Sequence, residues 1–257
     1  MTLGTAFQSW QGFYESDLQS VWSLLPISIV FLVALLAGAR PRTAGAAPAQ
    51  VALLRRWAVL FAAVSIADAL ITTLGLRALG WSGTNAGLSL VIPFVLAGDF
   101  RVFLLLFSFA DGDVLRLRDA SPRALAFTLI VPAVSLSVAG LVRLVTGSVE
   151  VVTIWLVYEL AFFALALLLR ARFVPERVDA LPTGRRPWLR GVLSFVALYY
   201  GLWATADVLT SWLGLDVGWA LRALPNQLYY GVFVPFVWLS FFARRYAAAR
   251  ASTQASR

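Results

Sequence analysis

Cysteine, histidine and lysine are all absent from the 257 residues, so all twenty-one basic side chains are arginine. Without cysteine there is no disulfide, thiolate metal site, iron–sulfur cluster or thiol nucleophile. Without histidine there is no imidazole base, haem ligand or ordinary zinc site. Any proton chemistry falls to Asp, Glu, Arg or Tyr, and neither a metal nor a cofactor is expected. Charge is scarce as well: 13% of residues are charged, against about a quarter in soluble domains. With 60% of residues hydrophobic, the composition is that of an all-α polytopic membrane protein.

Seven apolar runs are long enough to cross a bilayer, at about 21–39, 57–79, 88–110, 124–142, 150–169, 191–213 and 224–243. The arginines sort by connection. Seventeen fall on one side: Arg40, Arg42, Arg55 and Arg56, then Arg116, Arg118 and Arg123, then six from Arg170 to Arg190, then Arg244, Arg245, Arg250 and Arg257. The other side has Arg77, Arg143 and Arg222, with Glu15 and Asp17 in the N-terminal segment. Because arginine bias sets orientation, the chain is expected to be N-out and C-in. The net charge of +8 is thereby a topological signature, and no nucleic-acid partner is implied. The first span lacks the basic start and small-residue cleavage pattern of a signal peptide and is expected to persist as a mature helix. The lipid bilayer is the first expected partner and the cytoplasmic membrane of a bacterium the expected location.

An internal repeat organises the chain. "ADALITTLGL" at 67–76 and "ADVLTSWLGL" at 206–215 share six of ten residues, "FLVALLAGAR" at 31–40 matches "FALALLLRAR" at 163–172, and "IPFVL" at 92–96 matches "VPFVW" at 234–238. Gly80-Trp81 and Gly218-Trp219 follow the Asp-bearing copies. The reading is two parallel three-helix repeats, 21–110 and 150–243, joined by a connector and linker helix at 111–149. They are flanked by an external segment, 1–20, and a basic tail, 244–257, that touches anionic lipid.

Four carboxylates fall inside spans: Asp68, Asp99, Glu159 and Asp207, with Arg101 beside them in the third span. Acids at membrane depth cost several kcal/mol on insertion scales and usually face the bundle interior as parts of a pathway or site. Thr72 and Ser211 each follow a repeated Asp by four residues, which on an α-helix stacks hydroxyl on carboxylate. Asp99 and Arg101 are two apart and do not face each other, so Arg101 is expected to pair with an acid on another helix or to reach the surface. Tyr200, Trp203 and Asp207 are spaced to share a face of the sixth span. Prolines at Pro26, Pro93, Pro132, Pro225 and Pro235 supply kinks or free carbonyls. "ADGDVLRLRD" at 110–119 reads as a solvated turn, with no Gly-rich phosphate loop.

Three families share this layout. The three-plus-one-plus-three order resembles the SWEET sugar transporters and their PQ-loop relatives, although the chain has no Pro-Gln dipeptide. The seven-helix topology is similar to that of microbial rhodopsins, although without lysine no retinal Schiff base can form. Asp68, Gly80-Trp81 and Pro93, and again Asp207, Gly218-Trp219 and Pro225, resemble the motif order of membrane lycopene-cyclase domains, without the paired glutamates of that family.

The leading expectation is a carrier of a small solute, proton-coupled through one of the intramembrane acids. The site is expected among Asp68, Asp99, Glu159, Asp207, Arg101, Thr72, Ser211, Tyr200 and Trp203. The alternatives are an intramembrane enzyme acting by acid catalysis on an isoprenoid or other lipid, and a seven-helix receptor for a non-covalent ligand. The ligand is thus small or lipophilic, and an oligomer is left open.

Overall fold

The structure is a computed structural model that describes residues 9–38, 47–110, 116–178 and 184–243. The connector residues 111–115 and the basic tail, with Arg40 and Arg42, lie outside the described residues. Among the described residues there is no strand, and six helices are long and apolar enough to cross a membrane. They are α1 (Leu18–Leu36), α2 (Pro48–Ala78), α3 (Asn85–Ala110), α4 (Leu117–Thr146), α5 (Val151–Arg177) and α6 (Arg185–Trp212). A further stretch, α7, is continuously helical over 217–243. Ahead of α1 lies a single turn of helix, Trp10–Tyr14.

Burial is distributed as a bilayer requires. Leu144 and Val145 are 83% and 86% exposed, while Asp99 and Arg101 are 0% and 2% exposed. A side chain of α4 that meets acyl chains needs only to be apolar, whereas a charge must turn inward to find a partner. These are the proportions of an integral membrane protein.

Helix ends follow local chemistry. Pro48 opens α2, where its missing N–H costs nothing. Gly147 closes α4 in the left-handed region, φ 81°, with its N–H on the Arg143 carbonyl. Several helices run past their apolar runs: the second span is expected to begin near 57 and the fifth to end near 169, but α2 starts at Pro48 and α5 reaches Arg177. Hydropathy falls at the lipid boundary while the backbone ladder continues into the headgroup layer. There Arg55 turns back to donate from Nη2 to the Leu35 carbonyl at 2.8 Å, satisfying the end of α1.

The spans pack in chain order, each on the next, and α7 returns to α1. Ser28 Oγ donates to the Tyr230 carbonyl at 2.7 Å and Gln227 Nε2 to Ser23 Oγ at 2.6 Å, closing the ring. Among the described residues, one end of this ring carries Arg55, Arg56, Arg116, Arg118, Arg123 and the arginines from Arg170 to Arg190, and the other carries Arg77, Arg143 and Arg222. The arginine-rich half is filled with aromatics: Trp188 meets Phe109 and Phe241 at 5.1 and 5.0 Å between ring centroids, and its Nε1 donates to the Val237 carbonyl at 3.2 Å.

Among the described residues, five stretches have π-helical hydrogen bonding: Leu18–Trp22, Leu70–Gly75, Leu169–Phe173, Val208–Trp212 and Gln227–Val232. Two of them begin one or two residues after Asp207 and Asp68, respectively. Each widens its helix and displaces backbone groups from the regular ladder.

Candidate functional site

In the arginine-poor half, α3, α5, α6 and α7 surround a cavity of about 210 Å3. Tyr14, Trp155 and Arg222, all partly exposed, are among its lining residues. Its lining descends α7 through Asn226 to Tyr229 and Tyr230, about 10 Å along the helix at 1.5 Å per residue. Seven aromatic side chains, four of them tyrosines of α5, α6 and α7, form most of the wall.

The N-terminal turn of helix makes the roof. Ser9 caps it, its Oγ accepting from the Gly12 N–H at 3.0 Å. The Trp10 and Gln11 N–H groups donate to the Asp216 carboxylate at 2.8 and 3.1 Å, so the loop before α7 satisfies the start of this turn. Tyr14 then packs on Trp219, 5.3 Å between centroids, and accepts from Asn226 Nδ2 at 3.3 Å.

The floor is Asp99. It is fully buried and accepts hydrogen bonds from the Tyr158 and Tyr200 hydroxyls. Tyr200 is held by stacking on Phe162 at 4.2 Å, and Trp203 Nε1 donates to Asn226 Oδ1 at 2.8 Å. The acid in the wall itself is Glu159, 5% exposed, with no hydrogen-bond partner for Oε2. Above it Arg222 is ion-paired with Asp207.

Behind the Tyr229 ring is a second polar group. The Arg101 guanidinium lies 4.1 Å from the Tyr229 centroid and 4.7 Å from that of Phe233. Nη1 donates to Ser65 Oγ at 3.0 Å and Nη2 to the Tyr229 carbonyl at 2.9 Å. That carbonyl belongs to the π stretch Gln227–Val232, where the altered ladder gives Arg101 an acceptor inside the bundle. Arg101 therefore neither reaches the surface nor forms an ion pair among the described residues, contrary to the expectation from its neighbours in sequence. Trp57 Nε1 fixes the backbone of the same residue by donating to its carbonyl at 3.0 Å.

The two repeated acids occupy unlike surroundings. Thr72 Oγ1 donates to Asp68 Oδ1 at 3.1 Å and to the Asp68 carbonyl at 2.7 Å, and the Tyr230 side chain reaches the same carboxylate. At Asp207 the stacked-hydroxyl expectation fails: Ser211 is exposed and its hydroxyl meets only that of Thr210, at 3.4 Å. Arg222 of α7 takes the place of a hydroxyl at the Asp207 carboxylate. The Gly-Trp pairs differ too. Gly80 turns the chain with φ 66°, whereas a Cβ on Gly218, in the first turn of α7, would lie 2.9 Å from the Thr210 backbone nitrogen.

Of the residues singled out by sequence, the cavity thus brings together Glu159, Tyr200 and Trp203 directly. Asp99 and Asp207 stand one layer behind; Asp68, Thr72 and Arg101 lie beyond Tyr229 and Tyr230. Tyr14, Arg222 and Asn226 also line the cavity, and the sequence reading does not include them in the site: Arg222 reads as a topological marker, and only its position across from Asp207 gives it a site role. Among the described residues no three of His, Cys, Asp and Glu cluster as metal ligands. No family model, curated protein or solved structure matches the chain.

Proposed function

We propose that the protein is a seven-span, N-out and C-in membrane carrier of a small solute, which enters the aromatic cavity from the arginine-poor side. The observation that supports this reading is an aromatic cavity inside the helical bundle with Glu159 in its wall and the buried Asp99 behind two of its tyrosines. A carrier closed toward one compartment holds its solute in such a cavity. α7 supplies the seventh span, and the two halves, α1–α3 and α5–α7, are the moving units. The π turn after each repeated Asp supports this division, as do Pro93 and Pro225 within α3 and α7. Glu159, facing the solute, and Asp99, beneath it, are the groups to which proton coupling falls.

The test is solute-driven proton movement into liposomes containing the purified chain, followed with an internal pH dye across a panel of small solutes. Acidification on adding one of them is expected, with loss of the signal in Glu159→Gln and Asp99→Asn. Folded protein that moves nothing overturns the carrier reading. One feature favours a receptor instead: the packed rings around Trp57, Trp188 and Phe233 fill the bundle beneath the site. Saturable binding without uptake would establish that reading.

A further inference from the structure

We propose that the cavity binds a small alkylated ammonium ion, held by the Glu159 carboxylate within the tyrosine and tryptophan walls. This deepens the carrier reading and rests on it for passage across the membrane, though not for binding.

Charge comes first. The cavity's own cation, Arg222, is ion-paired with Asp207, and Glu159 Oε2 stands buried in the wall without a donor. Asp207 and Glu159 share one base, so one carboxyl group is left without a counter-charge of its own. A carboxylate oxygen withdrawn from water without a hydrogen-bond donor is costly, and a cationic guest beside it supplies compensating charge.

The polar inventory then separates guests. The Tyr158 and Tyr200 hydroxyls are donated to Asp99, and the Asn226 amide is engaged by Trp203 and Tyr14. A sugar, which needs a donor or acceptor for each hydroxyl, would leave most of its own groups unsatisfied here. What the cavity offers is flat aromatic faces, the Glu159 carboxylate and the Arg222 guanidinium, whose Nη1 is taken by Asp207. That combination suits an ammonium whose hydrogens are replaced by methyl or alkyl groups, because the cation needs ring faces more than directed hydrogen bonds. The wall already holds a cation in this way on Tyr229, over which Arg101 sits at 4.1 Å. An anion would meet Glu159, Asp207 and Asp99.

Size sets the last limit. A cavity of about 150 Å3 admits a benzene-sized guest, so 210 Å3 takes a guest slightly larger, of choline's dimensions.

The experiment titrates the full-length protein in nanodiscs with choline and tetramethylammonium, by calorimetry and tryptophan fluorescence. Alongside runs the neutral isostere of choline in which carbon replaces the ammonium nitrogen. Saturable choline binding is expected, weakened by about tenfold or more both for the neutral isostere and in Glu159→Gln. Equal affinity for the isostere overturns the proposal, as does unchanged binding in Glu159→Gln or no binding to folded wild-type protein. The isostere comparison uses wild-type protein alone and so stands even if the variant fails to fold. Choline bound but not transported leaves this inference standing and removes the carrier; uptake of a neutral solute without ammonium binding does the reverse.

Discussion

Gly98 sits one residue before Asp99, and a Cβ there would lie 1.5 Å from the Tyr229 hydroxyl oxygen and 2.5 Å from its Cζ. Tyr229 cannot simply withdraw, since its carbonyl holds Arg101 and its ring stacks under the guanidinium. Gly98→Ala is therefore expected to destabilise the fold by roughly 1–3 kcal/mol, as overpacking does, and to lower the unfolding temperature in detergent. Gly140→Ala is the control: on exposed α4 surface a Cβ there meets nothing within 4 Å, and relief of backbone entropy predicts no loss or a gain of about 0.5–1 kcal/mol. At this scale the sequence is half informative. Asp68, Asp99, Glu159 and Asp207 are legible as buried acids because a charge set within an apolar run must turn away from lipid and into the bundle. Their partners are not, because Tyr158, Tyr200, Tyr230 and Arg222 arrive from other helices or later turns, and the π stretch that gives Arg101 its acceptor has no sequence signature.

The elements are legible from hydropathy in approximate place, six of the seven expected spans being helices long and apolar enough to cross a membrane, but their ends and their wide turns are not, since both depend on hydrogen bonding beyond the apolar run. One interhelical tie can be tested by pH. Asp17, just outside the spans, pairs with Arg77 at the end of α2, Nη2 to Oδ1 at 2.6 Å. The hydrogen bond from Arg77 holds the Asp17 carboxyl below its ordinary range. A depressed carboxyl pKa stabilises the fold above the unfolded value, about 3.9, and that contribution fades as pH falls through the folded value. Both side chains are about half exposed, so the pair is worth no more than about 1 kcal/mol. Asp17→Asn should melt slightly earlier than wild type at pH 7, with the gap shrinking in high salt and closing in acid below the carboxylate range. A gap that persists unchanged in acid would mean that Asp17 acts through packing.

For the whole molecule, the arginine count predicts an N-out and C-in orientation. The absence of cysteine makes that measurable, since single cysteines can be introduced without removing any. Ser82→Cys, in the exposed turn before α3, should react with a membrane-impermeant maleimide in intact cells. Asp119→Cys, exposed at the arginine-rich end, should react only after permeabilisation. The reverse pattern would invert the proposed topology. The wide turns also have a consequence on this scale. Three of the five lie at the arginine-poor end, at Leu18–Trp22, Leu70–Gly75 and Val208–Trp212, and a fourth at mid-depth in α7, at Gln227–Val232. The opposite half is locked by interleaved rings of Phe109, Trp188 and Phe241. With the fifth, Leu169–Phe173, the only one of them at the ring-packed end, compliance should be graded along the bundle axis, and on warming amide exchange is expected to rise at Leu70–Gly75 and Val208–Trp212 before it rises around Trp188.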